Sequence, residues 1–411
     1  MDQLRFATIA LAIVATSISP PARAEVAVAP GGLAEALAGA RPGDRLRLLA
    51  GIHRGRFVVN VPIQIEGAPG AILDGGGEGT PLSLAADGIV VSHLEIRGSG
   101  ADLSHDDAVV RLVRAHDITV RGCRVEARAF GIYLEGGGRH VITGNEVRGD
   151  ASLPVVRRGN GIHLWNSEAN EIRDNGLSDV RDGVYLSFAH RNRIEGNHGN
   201  GLRYGIHYMY SEHNVLLGNR FRGCTGGIAL MYSKQNRISG NQTTGNRDFG
   251  ILCQQLEDSV LVGNRTSGNG RGLFLENSGR NRFLKNRVEE NGVGVFLTAG
   301  SEANVFSRNR FAGNLVQVFE DRADGQVWSE SGSGNYWGDY AGFDWNGDGI
   351  GELPYRIRTA RSALLARWPA ARWFLGSPVF ALLAWWDRLI VDPAPGALDP
   401  APLVGWSDQV S

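Results

Sequence analysis

The sequence predicts an all-β protein, a parallel β-helix with about 22 residues per turn, and three observations support this fold class. Six similar segments recur, starting at Gly161, Gly183, Gly205, Gly227, Gly250 and Gly272. Asn recurs at two fixed distances after Gly in most of these segments. Each segment also contains short runs of alternating apolar residues separated by Gly and Asn, which is typical of strands and turns and not of helices.

The two-residue period of a strand predicts which side chains enter the interior. The first and third positions after each Gly are nearly all aliphatic, as in Ile162 and Leu164. Tyr208 and Cys253 occupy the third position, so we expect both to point inward. Side chains at the second and fourth positions should then face outward. We interpret the Asn columns as structural, because Asn tolerates left-handed backbone and its side chain can hydrogen-bond from turn to turn.

Composition and the extent of the repeat divide the chain into four parts. Residues 1–24 have the charge, apolar stretch and small-residue end of a secretory signal. The β-helix is predicted to occupy residues 25–335, with a short capping helix over 32–40 and strands starting near Val58. Residues 336–360 are predicted to close the solenoid. The net charge of −1 gives no argument for nucleic-acid binding, and three cysteines are too few for a disulfide framework.

Residues 361–411 form an aromatic tail, and the last 50 residues contain five Trp. Its longest clean apolar piece, 379–386, is too short to cross a bilayer. The tail could lie at a membrane interface, where Trp is favoured, or dock on a membrane protein. Alternatively it could be a cap packed on the last turn. The candidate docking residues are Trp165, Tyr185, Tyr210, Tyr232, Trp373, Phe380, Trp385 and Trp386.

A possible metal site follows from stacking the repeats in register. Met209 and Met231 share the fourth position of adjacent turns, so their Cα atoms should lie about 4.8 Å apart. His207 lies on the same strand and face as Met209, and His163 lies two turns away. Thioether sulfur prefers Cu(I), and imidazole binds copper in either oxidation state. We therefore predict a Cu(I) site at these four residues, against the alternative of an ordinary protein-binding face.

A second possible metal site lies beyond the repeat. Asp344, Asn346 and Asp348 have the oxygen spacing of a calcium loop, and Glu352 follows. The twelfth position of such a loop is normally acidic, but here it is Tyr355. An Asx-rich turn that closes the solenoid is the alternative interpretation.

An enzymatic function is the main alternative, because exported β-helices often act on polysaccharides. Sugar cleavage usually needs two carboxylates across a groove. Asp179 and Asp182 with Arg181 are the candidates, but the acidic residues of the repeat occupy scattered offsets and predict no groove. We therefore expect no enzymatic activity.

Four parts of the sequence carry a resemblance to a known family: the segments 161–167, 203–211 and 226–233, and the Asn-Tyr-Trp-Gly-Asp-Tyr run starting at Asn335. In these segments the chain resembles the NosD family of periplasmic proteins that mature the copper centre of nitrous oxide reductase. The resemblance implies a right-handed β-helix in the periplasm, associated with an inner-membrane ABC transporter made of a permease and an ATPase. It also implies a lipoprotein copper chaperone that supplies Cu(I), and the reductase apoprotein as the target that receives a copper–sulfide centre. The aromatic tail would then be the permease-docking element.

Overall fold

The computed structural model of the protein describes residues 25–298, 300–321, 323, 325–357, 359, 364–365, 367–374, 377–389 and 398–406. This part of the chain is a parallel β-helix, which confirms the predicted fold class. Three parallel sheets run along it, which we call sheets A, B and C, with 13, 13 and 12 strands. The predicted signal, residues 1–24, lies outside the described residues and stays a prediction.

The strands of the three sheets alternate along the chain. Sheet A comprises Glu25–Val28, Arg45–Leu48, Gln64–Gly67, Val90–Ser92, Thr119–Arg121, Val141–Thr143, Glu171–Arg173, Arg193–Glu195, Val215–Leu217, Arg237–Ser239, Val260–Val262, Arg282–Leu284 and Val305–Ser307. Sheet B comprises Gly51–Arg54, Ala71–Asp74, Glu95–Arg97, Arg124–Glu126, Glu146–Arg148, Gly176–Ser178, His198–Asn200, Arg220–Arg222, Gln242–Thr244, Arg265–Ser267, Arg287–Glu289, Arg310–Ala312 and Tyr336–Trp337. Sheet C comprises Phe57–Val59, Leu82–Leu84, Ala108–Val113, Phe130–Glu135, Ile162–Trp165, Asp182–Ser187, Tyr204–Met209, Gly226–Lys234, Phe249–Glu257, Arg271–Glu276, Val293–Thr298 and Val316–Asp321.

The interior is filled by the residues that the repeat placed there. Ile206 and Ile228 are fully buried, and so are Tyr208 and Cys253, which confirms that both point inward. Each fully buried aliphatic side chain contributes roughly 1.5–3 kcal/mol. Because every turn stacks its inward residues on those of the next, the core is one continuous apolar column along the solenoid.

The Asn columns are buried hydrogen-bond ladders, as predicted. In the second column the Asn219 oxygen accepts from the backbone and side chain of Asn197, and its amide donates to Asn241 and to the Ile194 carbonyl. The expectation that the Asn residues themselves adopt left-handed backbone was wrong, however. The positive φ lies at the residue before the Asn, as at Gly218 with φ of 64°, because the chain must turn there to aim the amide inward.

The β-helix begins at residue 25 as predicted, but its first strands precede the predicted start near Val58. The first strand starts at Glu25, and strands Arg45–Leu48 and Gly51–Arg54 also precede Val58. The expected short helix is present as α1 (Leu33–Ala38), and Leu33 is buried in the core. These early turns lack the repeated Gly and Asn, so only their alternation of buried and exposed residues marks them.

The C-terminal end closes with a returning segment. Strands Tyr355–Arg356 and Leu398–Asp399 pair antiparallel. The buried Asp399 carboxylate accepts from the backbone of Asn335, at 2.8 Å, and from the Trp337 indole, at 2.9 Å. Residues 398–406 therefore pack against the last turn, although the sequence grouped them with a docking tail.

Two segments of the chain cover the two ends of the outward face of sheet C. Near the N-terminus, the insertion 99–107 places Leu103 over Phe130 and Tyr133. Near the C-terminus, Leu365 and Phe380 pack on Val316. Phe380 belongs to helix α2 (Pro378–Leu389), which follows a 3-10 segment at Pro369–Phe374. The strands between these two covers, Ile162–Trp165 to Gly226–Lys234, carry the candidate site.

Candidate functional site

The second position after each Gly forms a column of rings on the outward face of sheet C. Tyr133, His163, Tyr185 and His207 are paired in register on successive strands. Their ring centroids are 4.7, 4.7 and 4.9 Å apart. The rings point outward as expected, but they cover one another, and His207 is only 7% exposed. The sequence did not predict this burial, because it arises from packing between turns.

An ion pair between the buried Asp182 and the partly exposed Arg203 lies beside this column. The Asp182 carboxylate accepts from Arg203, through Nε at 2.8 Å and through Nη2. His207 Nδ1 lies 3.0 Å from Asp182 Oδ2 and 3.2 Å from Arg203 Nη2. The Arg203 guanidinium also stacks over the Tyr204 ring, at 4.8 Å from its centroid. Asp182 is fully buried, so its charge depends on these partners.

The electrostatic balance at Asp182 favours the ionised form. Burial alone raises the pKa of Asp182. Hydrogen bonds from His207 and Arg203, together with the positive charge of Arg203, outweigh burial and hold the pKa of Asp182 below its ordinary value. Removing one partner of such a pair would leave the other charge buried and uncompensated.

His163 has a related environment, in which its direct polar partner is an uncharged amide. Asn160 Nδ2 lies 3.3 Å from His163 Nδ1, and Arg181 Nε donates to Asn160 Oδ1 at 3.3 Å. Burial among the neighbouring rings, followed by the charge of Arg181, lowers the pKa of His163 to about 3. Arg181 also approaches Asp182, at 4.0 Å, so the two histidine environments are joined in one network.

The thioether pair lies beside His207. Met209 and Met231 are paired in register, and His207 pairs with Ala229. These four residues form a rectangle with sides of about 4.8 Å across strands and roughly 6.6 Å along them. Ala229 is the small corner, and Met231 packs over it with Phe249 and Tyr204. Met209 and Met231 therefore lie side by side on the outward face, with His207 two residues before Met209 on the same strand.

His163 lies farther from this rectangle. The strand that carries Tyr185 separates the strands of His163 and His207. His207, Met209 and Met231 thus lie on two adjacent strands, whereas His163 lies two strands from His207. Two sulfur donors with one imidazole suit a soft cation such as Cu(I).

Other metal donors lie elsewhere. Among the described residues, no group of three or more His, Cys, Asp or Glu side chains is arranged so that it could hold a metal ion. Cys123 and Cys224 are buried, and burial raises the pKa of both thiols to about 11. Cys253 is buried inside the solenoid, where burial raises its pKa still further.

An exposed aromatic ladder lines the rectangle. It consists of Phe188, Tyr210 and Tyr232, which stand at the fifth position after the repeat Gly on successive turns. Their ring centroids are 5.2 and 5.0 Å apart, and the rings are stacked. All three adopt left-handed backbone, with φ near 50°, which turns their rings out of the sheet. Trp165 is also exposed at this edge. Tyr210, Tyr232 and Trp165 are thus accessible, as docking requires, whereas Tyr185 is half-buried in the ring column.

The tail residues divide into two groups. Trp373, Trp385 and Trp386 are more than half exposed. Phe380 is buried against Val316 and holds α2 on sheet C, so its side chain is not free for a partner in this arrangement. No helix in the described parts of the chain combines the length and apolarity needed to cross a bilayer.

The predicted calcium loop is internally hydrogen-bonded. The Asp344 carboxylate accepts from the backbone of Gly347, at 2.7 Å, and of Gly349, at 2.8 Å. Asn346 Oδ1 and Asp348 Oδ1 each accept from a backbone N–H two residues on. Glu352 accepts from the Trp345 backbone. Calcium binding stays a prediction, which calorimetry of the wild type against Asp344→Asn would test.

The two carboxylates proposed for sugar cleavage have different neighbours. Asp182 faces Arg203 and His207 on sheet C, whereas Asp179 lies at the preceding turn, 3.4 Å from Arg148 of sheet B. They do not form a pair across one groove.

Sequence reasoning missed Arg203, Asn160 and Phe188. A signal for Arg203 was present, since Arg181 and Arg203 both stand two residues before the repeat Gly. Asp182 and Tyr204 occupy the next position, and they pair in register. Extending the repeat backward by two residues would have placed the ion pair beside His207.

Comparisons with known proteins find related sequences over most of the chain. A family model described as the periplasmic copper-binding protein NosD matches residues 149–342. A Stutzerimonas stutzeri protein named "probable ABC transporter binding protein NosD" is 36% identical over 378 residues, covering 88% of this chain and 87% of that protein. A Pseudomonas aeruginosa protein of the same name is 38% identical over 376 residues, covering 88% of each.

Solved structures add the fold. The chain is similar to the Yersinia enterocolitica family 28 exopolygalacturonase, with a TM-score of 0.58, 11% identity, and coverage of 71% of this chain and 74% of that one. At this identity the similarity reflects the shared β-helix alone.

Proposed function

Because this chain belongs to the NosD family, we propose that it is a periplasmic protein that carries Cu(I) transiently and helps to mature the copper–sulfide centre of nitrous oxide reductase. Copper is cargo in this proposal. The protein is an accessory factor and catalyses no reaction itself.

The observation that carries the proposal is the placement of His207, Met209 and Met231 at three corners of the rectangle. Two thioethers in register beside an imidazole form a soft donor set. Met231 is partly buried against the cluster of Ala229, Phe249 and Leu252, so one side of the site is shielded from water. Such a site suits a cation that must be protected yet released, because few strong charges hold it.

The proposed partners follow from the family and from the exposed aromatic surfaces. The names of both relatives connect them with an ABC transporter. We propose that a cytoplasmic ATPase and a membrane permease form this transporter here, and that a lipoprotein chaperone supplies Cu(I). The exposed ladder beside the rectangle suits contact with the chaperone or the reductase apoprotein. The exposed face of α2 suits the permease, together with the membrane surface.

The test of the copper site is an anaerobic Cu(I) titration in competition with a chromophoric chelator. We expect Met209→Leu/Met231→Leu to weaken the affinity by about tenfold or more, which corresponds to about 1.4 kcal/mol. Leu keeps the apolar volume, so the fold should be unchanged by circular dichroism.

The matched control is Gln254→Leu. Gln254 occupies the same column on the next strand, paired with Met231, so this variant adds an apolar side chain without removing sulfur. We expect wild-type affinity. Equal binding by the wild type and the double Met variant would remove this site from consideration.

The docking proposal is tested at α2. Residues 398–406 close the solenoid, so truncating the whole tail would damage the fold, and point substitutions are preferable. We expect Trp385→Ala/Trp386→Ala to lower recovery with the transporter from solubilised membranes. The control is Trp345→Ala, because Trp345 is 80% exposed but lies on the closing loop. Equal recovery of both variants would contradict docking through α2.

A further inference from the structure

The two histidines of the ring column have different polar partners. His163 and His207 occupy the same position of the repeat, and Tyr185 contacts both rings edge-on. In each case Nδ1 faces the polar network at the sheet edge. The partner is a carboxylate for His207 and an amide for His163. This difference fixes which ring nitrogen carries the proton.

His207 is the donor at Nδ1. Its two neighbours there are Asp182 Oδ2 at 3.0 Å and Arg203 Nη2 at 3.2 Å. Arg203 already donates to Asp182 through two nitrogens. A bare Nδ1 would place its lone pair against the carboxylate oxygen, whereas a protonated Nδ1 makes a charge-assisted hydrogen bond. The lone pair of the neutral ring is then at Nε2.

Nε2 of His207 is buried and has no hydrogen-bond partner among the described residues. A proton there would have no acceptor. An unpaired buried acceptor costs about 1–3 kcal/mol. A ligand that binds Nε2 of His207 would remove this cost, which is a reason to look for one here. The ring belongs to the rectangle that also holds Met209 and Met231.

His163 is the acceptor at Nδ1. Arg181 donates to the oxygen of Asn160, and this fixes the orientation of the Asn160 amide. The amide nitrogen of Asn160 therefore faces His163 Nδ1, at 3.3 Å, and donates to it. The proton of the neutral His163 ring must then lie on Nε2, the opposite tautomer to that of His207.

We infer that Asp182 and Asn160 hold the two histidines in opposite tautomers, so that His207 offers an Nε2 lone pair to a soft cation whereas His163 does not. The inference deepens the proposed copper function and rests on it for the identity of the cation. Asp182 and Asn160 are positioning residues, since each acts through a histidine. Substituting such an outer partner typically weakens metal affinity by about 10- to 100-fold.

The tautomers are tested in metal-free protein by long-range 1H–15N NMR of ring-labelled histidine, which distinguishes protonated from bare ring nitrogens. The chain has 10 histidines, so His207→Gln and His163→Gln assign the two signals. We expect a protonated Nδ1 in His207 and a protonated Nε2 in His163. Equal tautomers, or the reverse assignment, would overturn the inference.

The isosteric variant Asn160→Asp tests the cause. A carboxylate at this position can accept from both Arg181 and His163 Nδ1, so His163 should change to the tautomer of His207 while His207 keeps its own. Asp182→Asn is the reciprocal variant, and it should reduce the Nδ1–H signal of His207. If Asp182→Asn fails to fold because Arg203 loses its charge partner, Asn160→Asp still decides the matter. An unchanged His163 signal in Asn160→Asp would contradict the role of residue 160.

Cu(I) titration separates this inference from the proposed function. We expect His207→Gln to weaken Cu(I) binding by about tenfold or more, and His163→Gln to leave it within about twofold. If the NMR tautomers are as inferred but His207→Gln binds Cu(I) normally, the copper role of this rectangle fails and the tautomer assignment stands. If the tautomers are not opposite, the inference fails whatever the copper result.

Discussion

Replacing Asn219 by Ala should be among the most destabilising single changes in the solenoid. Its side chain makes four hydrogen bonds: it accepts at 3.0 and 3.1 Å from Asn197 and donates at 2.9 and 2.8 Å to Ile194 and Asn241. All four are buried. At a net value of about 1 kcal/mol for each bond, the loss is about 4 kcal/mol.

The first Asn column supplies an internal comparison. Asn214 is equally buried, but its side chain makes two hydrogen bonds, accepting from Asn192 and donating to Ala189. Asn214→Ala should therefore cost about 2 kcal/mol. Asn214→Ser should cost only about 1 kcal/mol. The reason is visible at Ser259, which occupies this column naturally and still accepts from Asn236 at 3.0 Å.

The assay is urea unfolding at neutral pH, followed by far-UV circular dichroism and Trp fluorescence. Similar dependence on urea in all variants would show that each exposes the same surface on unfolding, so that midpoints can be compared. The expected order of stability is wild type, Asn214→Ser, Asn214→Ala and Asn219→Ala. If Asn214→Ala were as destabilising as Asn219→Ala, the count of ladder hydrogen bonds would not explain the stability of the stack.

Two further predictions concern pH and packing. His140 opens the first ladder by accepting from Ile118, and burial lowers its pKa to about 4. Below about pH 6.5 the unfolded chain binds a proton at His140, whereas the folded chain binds it only near pH 4. The free energy of unfolding should therefore fall by roughly 2 kcal/mol from pH 7 to pH 5. Urea midpoints should show that His140→Asn removes this loss, and an undiminished loss in that variant would contradict the prediction. Gly205 has no room for a side chain, because an added Cβ would lie 2.1 Å from the Phe221 ring. Gly205→Ala should lower the stability to thermal unfolding by about 1–3 kcal/mol. Adding Phe221→Leu to this variant should recover part of the loss. Strictly additive effects of the two substitutions would show that the two sites do not meet.

The repeat made the fold and much of the site predictable. A side-chain column is specified once the repeat length and the strand period are known, because stacked turns place equivalent residues side by side. The pairing of Met209 with Met231 followed from this alone, and so did the inward direction of Tyr208 and Cys253. The Asn ladders followed from the same register.

What surrounds a column was harder to predict. The repeat gives the direction of His207 but not its burial, which depends on the Tyr185 and Tyr204 rings that lean over it. The repeat also places Asn160 directly before Gly161, but it does not show that its side chain reaches His163 Nδ1. The buried position of Phe380 depends on a contact with Val316, which lies more than 60 residues earlier.

The sequence by itself determined the period, the inward and outward faces and the register, because these depend on local alternation that each turn repeats. Only the tertiary structure decided which outward side chains are accessible and which polar groups face the ring nitrogens of His163 and His207. Those properties depend on distances across strand edges, insertions and the returning tail, where residues distant along the chain meet and no period relates them.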